Sequence, residues 1–591
     1  MEEAEIEYTS IHSLPNEILT LILQHNDCHD IVSFGATCKR FRQMVENDQI
    51  LWKDKFKSII PTVMFDSVDK HCDGKWLNSI KAFFNLKKLI YSEILAMSPK
   101  FYWKCPEITL EDVRNFFTIA LSNSLNYYYI IFILQDLIRK GNAHIDKNCS
   151  EKPYTMTEIY YAKEVLRYLI QTFLAVKWVT AHMRNELPPE IVVNFFLQWT
   201  DTVNLHPDLE IENSINDLAA KVKLVLNAQN PKLASKSILD CTNKLVSERQ
   251  VLHAVTQVIY HQRHMAVITA ANLDTLNIIK VLKTKCSNII VIGAIYQAVA
   301  RRCGVHCEMI AFPPNHLFLE WVDRSDAASP ASYTVDLNTG ELKPKRRCPF
   351  SLTQNSNYKY CPDSLLQYIY SSFHSTMGAI KNWNTQNAVY LLDFLGTSHY
   401  FSYSYRNPYR NFLTYLIDHT HLSAMSIPPN LTYLNDEHKQ IIRVLANLNA
   451  PVTNFVTKDF VVKKHAGNVK FAVGMICYHT KFDYVGIVRA WDLSCDAKWA
   501  DRMEMELNLE FGVDQPFYYL VAADQSARYV AQENLIEITH PTRLYHLEDA
   551  IAREFTHFDG FSYMLNDEKR AEYPDDESIA ALYRNRSHYR P

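Results

Sequence analysis

At 591 residues, with 48% apolar and 21% charged side chains, the chain has an ordinary globular composition but is too long for one core; ~100–200 residues per domain implies roughly three to five units. Its net charge of −4 lacks the polybasic signature of a nucleic-acid or anionic-membrane binder. Thirteen cysteines without a C-x-x-C pair fit reduced thiols in cytoplasm or nucleus, and argue against a disulfide framework or a zinc site.

The acidic opening MEEAEIEYTS has neither a basic n-region nor an apolar h-region, so no export is expected. Helices follow. Pro15 suits a first helical turn and Glu17 complements the positive helix end. Ile18, Leu19, Ile22 and Leu23 then read as one apolar stripe. A second helix is expected from Asp30 as N-cap, with Ile31, Phe34, Cys38, Phe41 and Val45 on one face. Leu51, Trp52 and Phe56 close the unit. So short a module buries a low fraction of its surface, and some of its apolar area is expected to meet a partner.

In order and spacing, Leu14-Pro15-x-Glu17-Ile18-Leu19-x-x-Ile22-Leu23, then Ile31, Cys38 and Phe41, then Leu51-Trp52, resemble the F-box. The resemblance implies a trihelical module over residues 10–58. It also implies docking on the Skp adaptor of a cullin–RING ubiquitin ligase through Leu14, Pro15, Ile18, Leu19, Ile22, Leu23, Ile31 and Trp52. In physical terms that is a helix-in-groove interface with apolar anchors.

Polar, breaker-rich stretches at 144–153, 206–217, 323–332, 343–363 and 428–436 divide the rest. Residues 75–225 are expected to be helical, and so are 349–450, where LLQYIYSSF and NFLTYLIDH repeat apolar residues three and four apart. The runs YYYIIFIL (127–134) and IIVIGAIYQAVA (289–300) fall short of the ~20 residues that span a bilayer and read as buried helices. The basic run Lys343 to Arg347 reads as a solvated loop rather than a nuclear address.

Between 226 and 348 the order helix, helix, strand, strand resembles a transglutaminase-like domain of the bacterial SirB kind, an α/β core. The resemblance implies a Cys heading the buried helix, activated by the helix dipole, with a His base at the next strand and an orienting Asp one strand later. His316 in PNHLFL and Asp336 in YTVDLNTG take the last two positions. Ile289 falls where the nucleophile would stand, and Cys286 lies three residues upstream in a turn. The set Cys286, His316 and Asp336 is therefore a relic or candidate triad, with a structural role for His316 and Asp336 favoured. Cys303 and Cys307 flank His306, but Gly304 splits their faces, and no metal is expected.

From 463 to 545 the residues His479, Tyr484, Gly486, Trp491-Asp492, Trp499, Asp514-Gln515-Pro516-Phe517-Tyr518, Tyr529-Val530 and Glu533-Asn534 resemble the YccV/HspQ-like family, which implies a small β-barrel. AADQSARYV departs from it where the family's turn usually carries Gly. Eight Lys/Arg against eleven Asp/Glu over 463–540 oppose a phosphate-tracking surface. The aromatic set suits a protein surface, with Tyr484, Trp491, Asp492, Gln515, Pro516, Phe517, Tyr518 and Tyr529 as substrate-binding candidates. An acidic, partly helical tail covers 546–591.

Together these readings describe a multidomain α+β chain: a trihelical F-box, a mostly helical middle holding a transglutaminase-like core, and a C-terminal small β-barrel. The expected function is substrate recruitment in an SCF-type ubiquitin ligase, without cofactor and with a pseudoenzyme central domain. The alternatives are a thiol-dependent hydrolase or transferase, and DNA binding through the barrel. The expected partners are the Skp adaptor, the cullin–RING ligase and protein substrates, with no membrane and no nucleic acid.

Overall fold

The computed structural model describes residues 11–105, 108–123, 125–146, 154–183, 187–204, 206–229, 246–312, 316–325, 331–345, 360–395, 456–457, 461–495 and 509–588. Helix α1 (Asn16–Leu23) starts directly after Pro15. Helix α2 (Cys28–Thr37) begins two residues before the expected cap, because Asp27 is the N-cap and its carboxylate accepts the Asp30 N–H at 2.8 Å. The single helical face expected through Val45 is divided between two helices. Cys38 takes an extended conformation, ends α2 and caps α3 (Lys39–Asn47), its sulfur accepting the Phe41 N–H. Helix α4 (Gln49–Ile59) is capped by Asp48. Its Trp52 is buried, the indole N–H donating to the Val45 carbonyl at 2.7 Å.

The module does not end at α4. Phe56 packs against Trp76 and Phe83 of α5 (Trp76–Phe101) and against Tyr129 of α6 (Asn126–Asp146). Helices α7 (Met156–Met183), α8 (Pro189–Thr200) and α9 (Asp208–Gln229) continue the helical region. Helix α9 occupies most of the stretch expected as a break at 206–217. Its buried Ile211, Ile215 and Leu218 recur at i, i+4 and i+7, a core-facing stripe that the flanking acids and Asn residues disguise in sequence.

In the central part α10 (Glu248–Thr256) opens on a Ser247/Gln250 capping box. Strand β1 (Ala266–Ile268) pairs in parallel with β2 (Cys286–Asn288), which runs directly into α11 (Ile289–Arg302). Every α11 residue from Ile290 to Ala300 is buried. Strands β3 (Glu308–Phe312), β4 (His316–Asp323), β5 (Ala331–Val335) and β6 (Leu342–Pro344) form an antiparallel sheet in chain order. Helices α12 (Pro362–Met377) and α13 (Trp383–Leu395) pack on α8. The helix expected around NFLTYLIDH lies outside the described residues.

Strands β7 (Ile476–His479), β8 (Tyr484–Asp492), β9 (Phe517–Ala522), β10 (Ala527–Ala531) and β11 (Leu535–Glu537) form one antiparallel sheet in the order β10-β9-β8-β7-β11. The expected small β domain is there; among the described residues no ladder joins β10 to β11 to close a barrel. At the β9–β10 turn, where the family's turn usually carries Gly, Gln525 stands at φ +61°, in the left-handed region that glycine occupies without cost. Residues past this sheet are part of the fold: strands β12 (Phe555–Phe558) and β13 (Tyr563–Leu565) make a hairpin, and α14 (Asp576–His588) closes the chain.

Two cores result. One joins α1–α7, the C-terminal sheet, its following hairpin and α14. The second is built from α8–α13 with the central strands, and α7 contributes to both. Among the described residues no helix is long and apolar enough to cross a membrane.

Candidate functional site

Helix α1 has eight residues, Asn16 to Leu23, so it turns little more than twice and its apolar side chains divide between two faces. Leu19 (1% exposed) and Leu23 point into the module, where Ile31 and Trp52 are also buried. Ile18 (43%) and Ile22 (47%), four residues apart, face solvent beside the exposed Leu21 (56%). Pro15 is exposed and Leu14 partly buried. The stripe read from the sequence as one face is thus two: Leu19, Leu23, Ile31 and Trp52 support from behind what Ile18, Leu21 and Ile22 present. Leu21 escaped the sequence reading because it sits between positions of a repeating motif. The segment before α1 is held by Arg40, whose guanidinium donates to the carbonyls of His12 and Leu14 and to Asn16.

In the central domain β2 carries Cys286 exposed at its start, with Ser287 and Asn288 buried behind it. Asn288 is the N-cap of α11: its Oδ1 accepts the Ile290 N–H, and its amide donates to Thr269 and Ala270 carbonyls. Ile289 is the first helical residue, and Ser287 Oγ is turned to the Asn288 carbonyl. The helix head therefore offers neither thiol nor free hydroxyl among these residues. Asp336 accepts from Lys343 Nζ and from the Asn338 N–H at 2.9 Å. The Lys343 hydrogen bond holds its carboxyl below the usual range. Its own backbone closes a turn with Gly340 and Glu341. His316 opens β4 opposite Phe312; its side chain lies outside the described residues. No contact among the described residues joins Cys286 to Asp336.

Cys303 and Cys307 are both buried, and burial pushes the Cys307 thiol up to about 12. Helix α11 ends at Arg302, with Gly304 at φ +83° turning the chain between the two sulfurs.

On the C-terminal sheet, five of the eight candidate side chains are packed inside. Trp491 donates to Asp576 at 3.0 Å. Tyr518 donates to Gln532 at 2.6 Å and receives the Lys470 and Phe471 N–H groups. Gln515 braces the loop through Gly512 and Glu533, and Pro516 and Phe517 are buried beside it. Three reach the surface in part. Tyr484 stacks on His479, ring centroids 4.8 Å apart, with the Arg528 guanidinium over its ring. Asp492 binds Lys463 Nζ at 2.7 Å and the Tyr529 hydroxyl at 3.0 Å. Burial and Asp492 together raise the Tyr529 phenol well above its ordinary range. Tyr519 lies 4.4 Å from the Tyr529 ring and is 45% exposed. Strand alternation sends Tyr518 inward and Tyr519 outward, a signal present in PFYYL but masked by two identical neighbours. Phe482, 68% exposed, projects from the β7–β8 turn.

Three family models match the chain: F-box-like over residues 11–58, transglutaminase-like superfamily over 210–366, and hemimethylated DNA-binding protein YccV like over 469–562. Across nearly its whole length the chain is similar to F-box only protein 21. The Homo sapiens protein of that name is 23% identical over 97% of this chain and 94% of its own length. That of Mus musculus is 23% identical over 98% and 96%, and that of Pongo abelii 23% over 97% and 94%. No solved structure matches. The similarity to F-box only protein 21 spans the helical region and the C-terminal hairpin as well as the three matched stretches.

Proposed function

We propose that this chain is the substrate-recognition subunit of an SCF-type E3 ubiquitin ligase, working in cytoplasm or nucleus. One observation carries the reading: an F-box-like module, in a chain similar throughout to F-box only protein 21, presents Ile18, Leu21 and Ile22 to solvent over a base of Leu19, Leu23, Ile31 and Trp52. Exposed apolar side chains on a rigid base are what a helix-in-groove adaptor interface needs. Leu14 and Pro15 border the patch. The Skp adaptor and its cullin–RING partner dock there, and the remaining domains hold the target. The contribution to rate is proximity between a target lysine and the charged conjugating enzyme.

The central domain acts in this reading without making bonds, as a pseudoenzyme. Ile289 heads α11, and the Asp336 carboxylate is occupied by Lys343 and Asn338. The partly exposed Tyr484, Asp492 and Tyr529, joined by Tyr519 and Phe482, supply the target-facing surface. The excess of acidic over basic residues across 463–540 favours a protein over DNA there.

The test replaces Ile18 and Ile22 by Asp in the full chain and measures capture of the Skp adaptor and cullin. Loss of a central anchor costs about 2 kcal/mol or more, so the double variant is expected to lose both partners while its melting temperature stays unchanged. Undiminished capture by the folded variant overturns the reading.

A further inference from the structure

Helix α5 is amphipathic in an unusual way: both its faces carry apolar side chains. One face buries Ile80, Phe83, Leu86, Ile90, Ile94 and Met97 in the first core. The opposite face, at 100° per residue, brings Lys81, Phe84, Lys88, Ser92 and Leu95 into one row. All five are exposed, Phe84 at 41% and Leu95 at 45%. The row runs for about 21 Å along the helix. Over its length α5 carries four lysines and one glutamate. Lys87, just off the row, reaches Asp136 of α6. Lys81 and Lys88, on the row, meet no carboxylate among the described residues. Two uncompensated cations alternating with two large apolar side chains are complementary to a particular kind of surface.

We propose that the outer face of α5 is a docking surface for an acidic amphipathic helix of a partner protein, which sets its apolar side chains against Phe84 and Leu95 and its carboxylates on Lys81 and Lys88. The site is separate from the Ile18–Ile22 patch and does not depend on its function. A helical partner fits because the row is straight, narrow and rigidly backed, its apolar positions 84 and 95 spaced by three turns. A lipid surface fits less well: Asn85 and Ser92 interrupt the apolar area, and the face lacks the continuous apolar stripe that interfacial helices bury.

The experiment titrates the full chain with a fluorescent helical peptide of about 20 residues, Leu along one face and Glu flanking it. Its twin carries Lys in place of Glu, and vesicles of mixed phosphatidylcholine and phosphatidylserine form a third arm. The Glu peptide is expected to bind and the Lys twin not to bind. Binding is expected to weaken at high salt and to fall roughly tenfold in Lys81→Glu/Lys88→Glu and in Phe84→Ser, at unchanged melting temperature. Equal binding of the twin, Glu-peptide binding indifferent to all three substitutions, or vesicle binding that depends on Lys81 and Lys88 without peptide binding would each overturn the proposal.

Discussion

At the scale of single residues, neighbouring members of one motif take opposite roles. Leu19 and Ile18 are adjacent and both apolar, yet one is fully enclosed and the other open to solvent. Leu19→Ala is expected to destabilise the folded chain by about 2–5 kcal/mol through the cavity it leaves. Ile18→Ala is expected to change stability by less than about 0.5 kcal/mol. Chemical denaturation of the two variants checks this, and equal losses would mean that both side chains are in the core. Periodicity made both residues legible as apolar helix positions. It could not assign their faces, because over two turns a stripe of four residues is wider than either face alone. The same limit applies to Tyr518 and Tyr519. His465 was not legible at all, since the carboxylate that meets its ring, Asp576, lies 111 residues away in α14.

At the scale of elements, that histidine is a clasp between α14 and the C-terminal sheet. Its ring nitrogens lie 3.0 Å from Asp576 Oδ1 and 2.9 Å from the Val469 carbonyl, both acceptors. The other Asp576 oxygen receives the Trp491 indole and the Val473 N–H, while Asp575 accepts the His465 N–H. Burial disfavours the charged ring, but the hydrogen bonds and charge of Asp576 outweigh it and the net shift is upward. A raised folded-state value means that the contribution to stability is full below the unfolded value near 6.5. It is lost as pH climbs through the folded value. Denaturation midpoints measured between about pH 6 and pH 9 are expected to fall more steeply for the native chain than for His465→Gln. Parallel curves would show that the ring does not titrate in this window.

At the scale of the molecule, the sequence was readable wherever one stretch holds its own pattern. The F-box-like helices, the buried α11 and the β7–β11 strands were each expected near where they stand. What joins them was not readable. The tail expected as an acidic end contributes Phe555, Tyr563, Leu565 and Tyr573 to the first core. From this tail Arg553 donates to the carbonyls of Phe101, Tyr102 and Lys104 at the end of α5. Such contacts are written as isolated charges in two distant segments, with no local period to betray them. A chain truncated after residue 545 is therefore expected to lose the cooperative melting of its N-terminal helices as well as its last strands. A truncated chain whose α1–α7 helices melt as in the full chain would show the tail to be dispensable.

The pairing of Ser98 with Glu568, 470 residues apart, also sets an order of events in synthesis. At about 5–20 residues per second, α5 leaves the ribosome roughly 25–95 s before its last packing partner exists. Through that interval the helical region stands with an unfilled flank, open to chaperones and to degradation. A nascent chain that stalls before Glu568 thus carries a complete F-box-like module on an incomplete support.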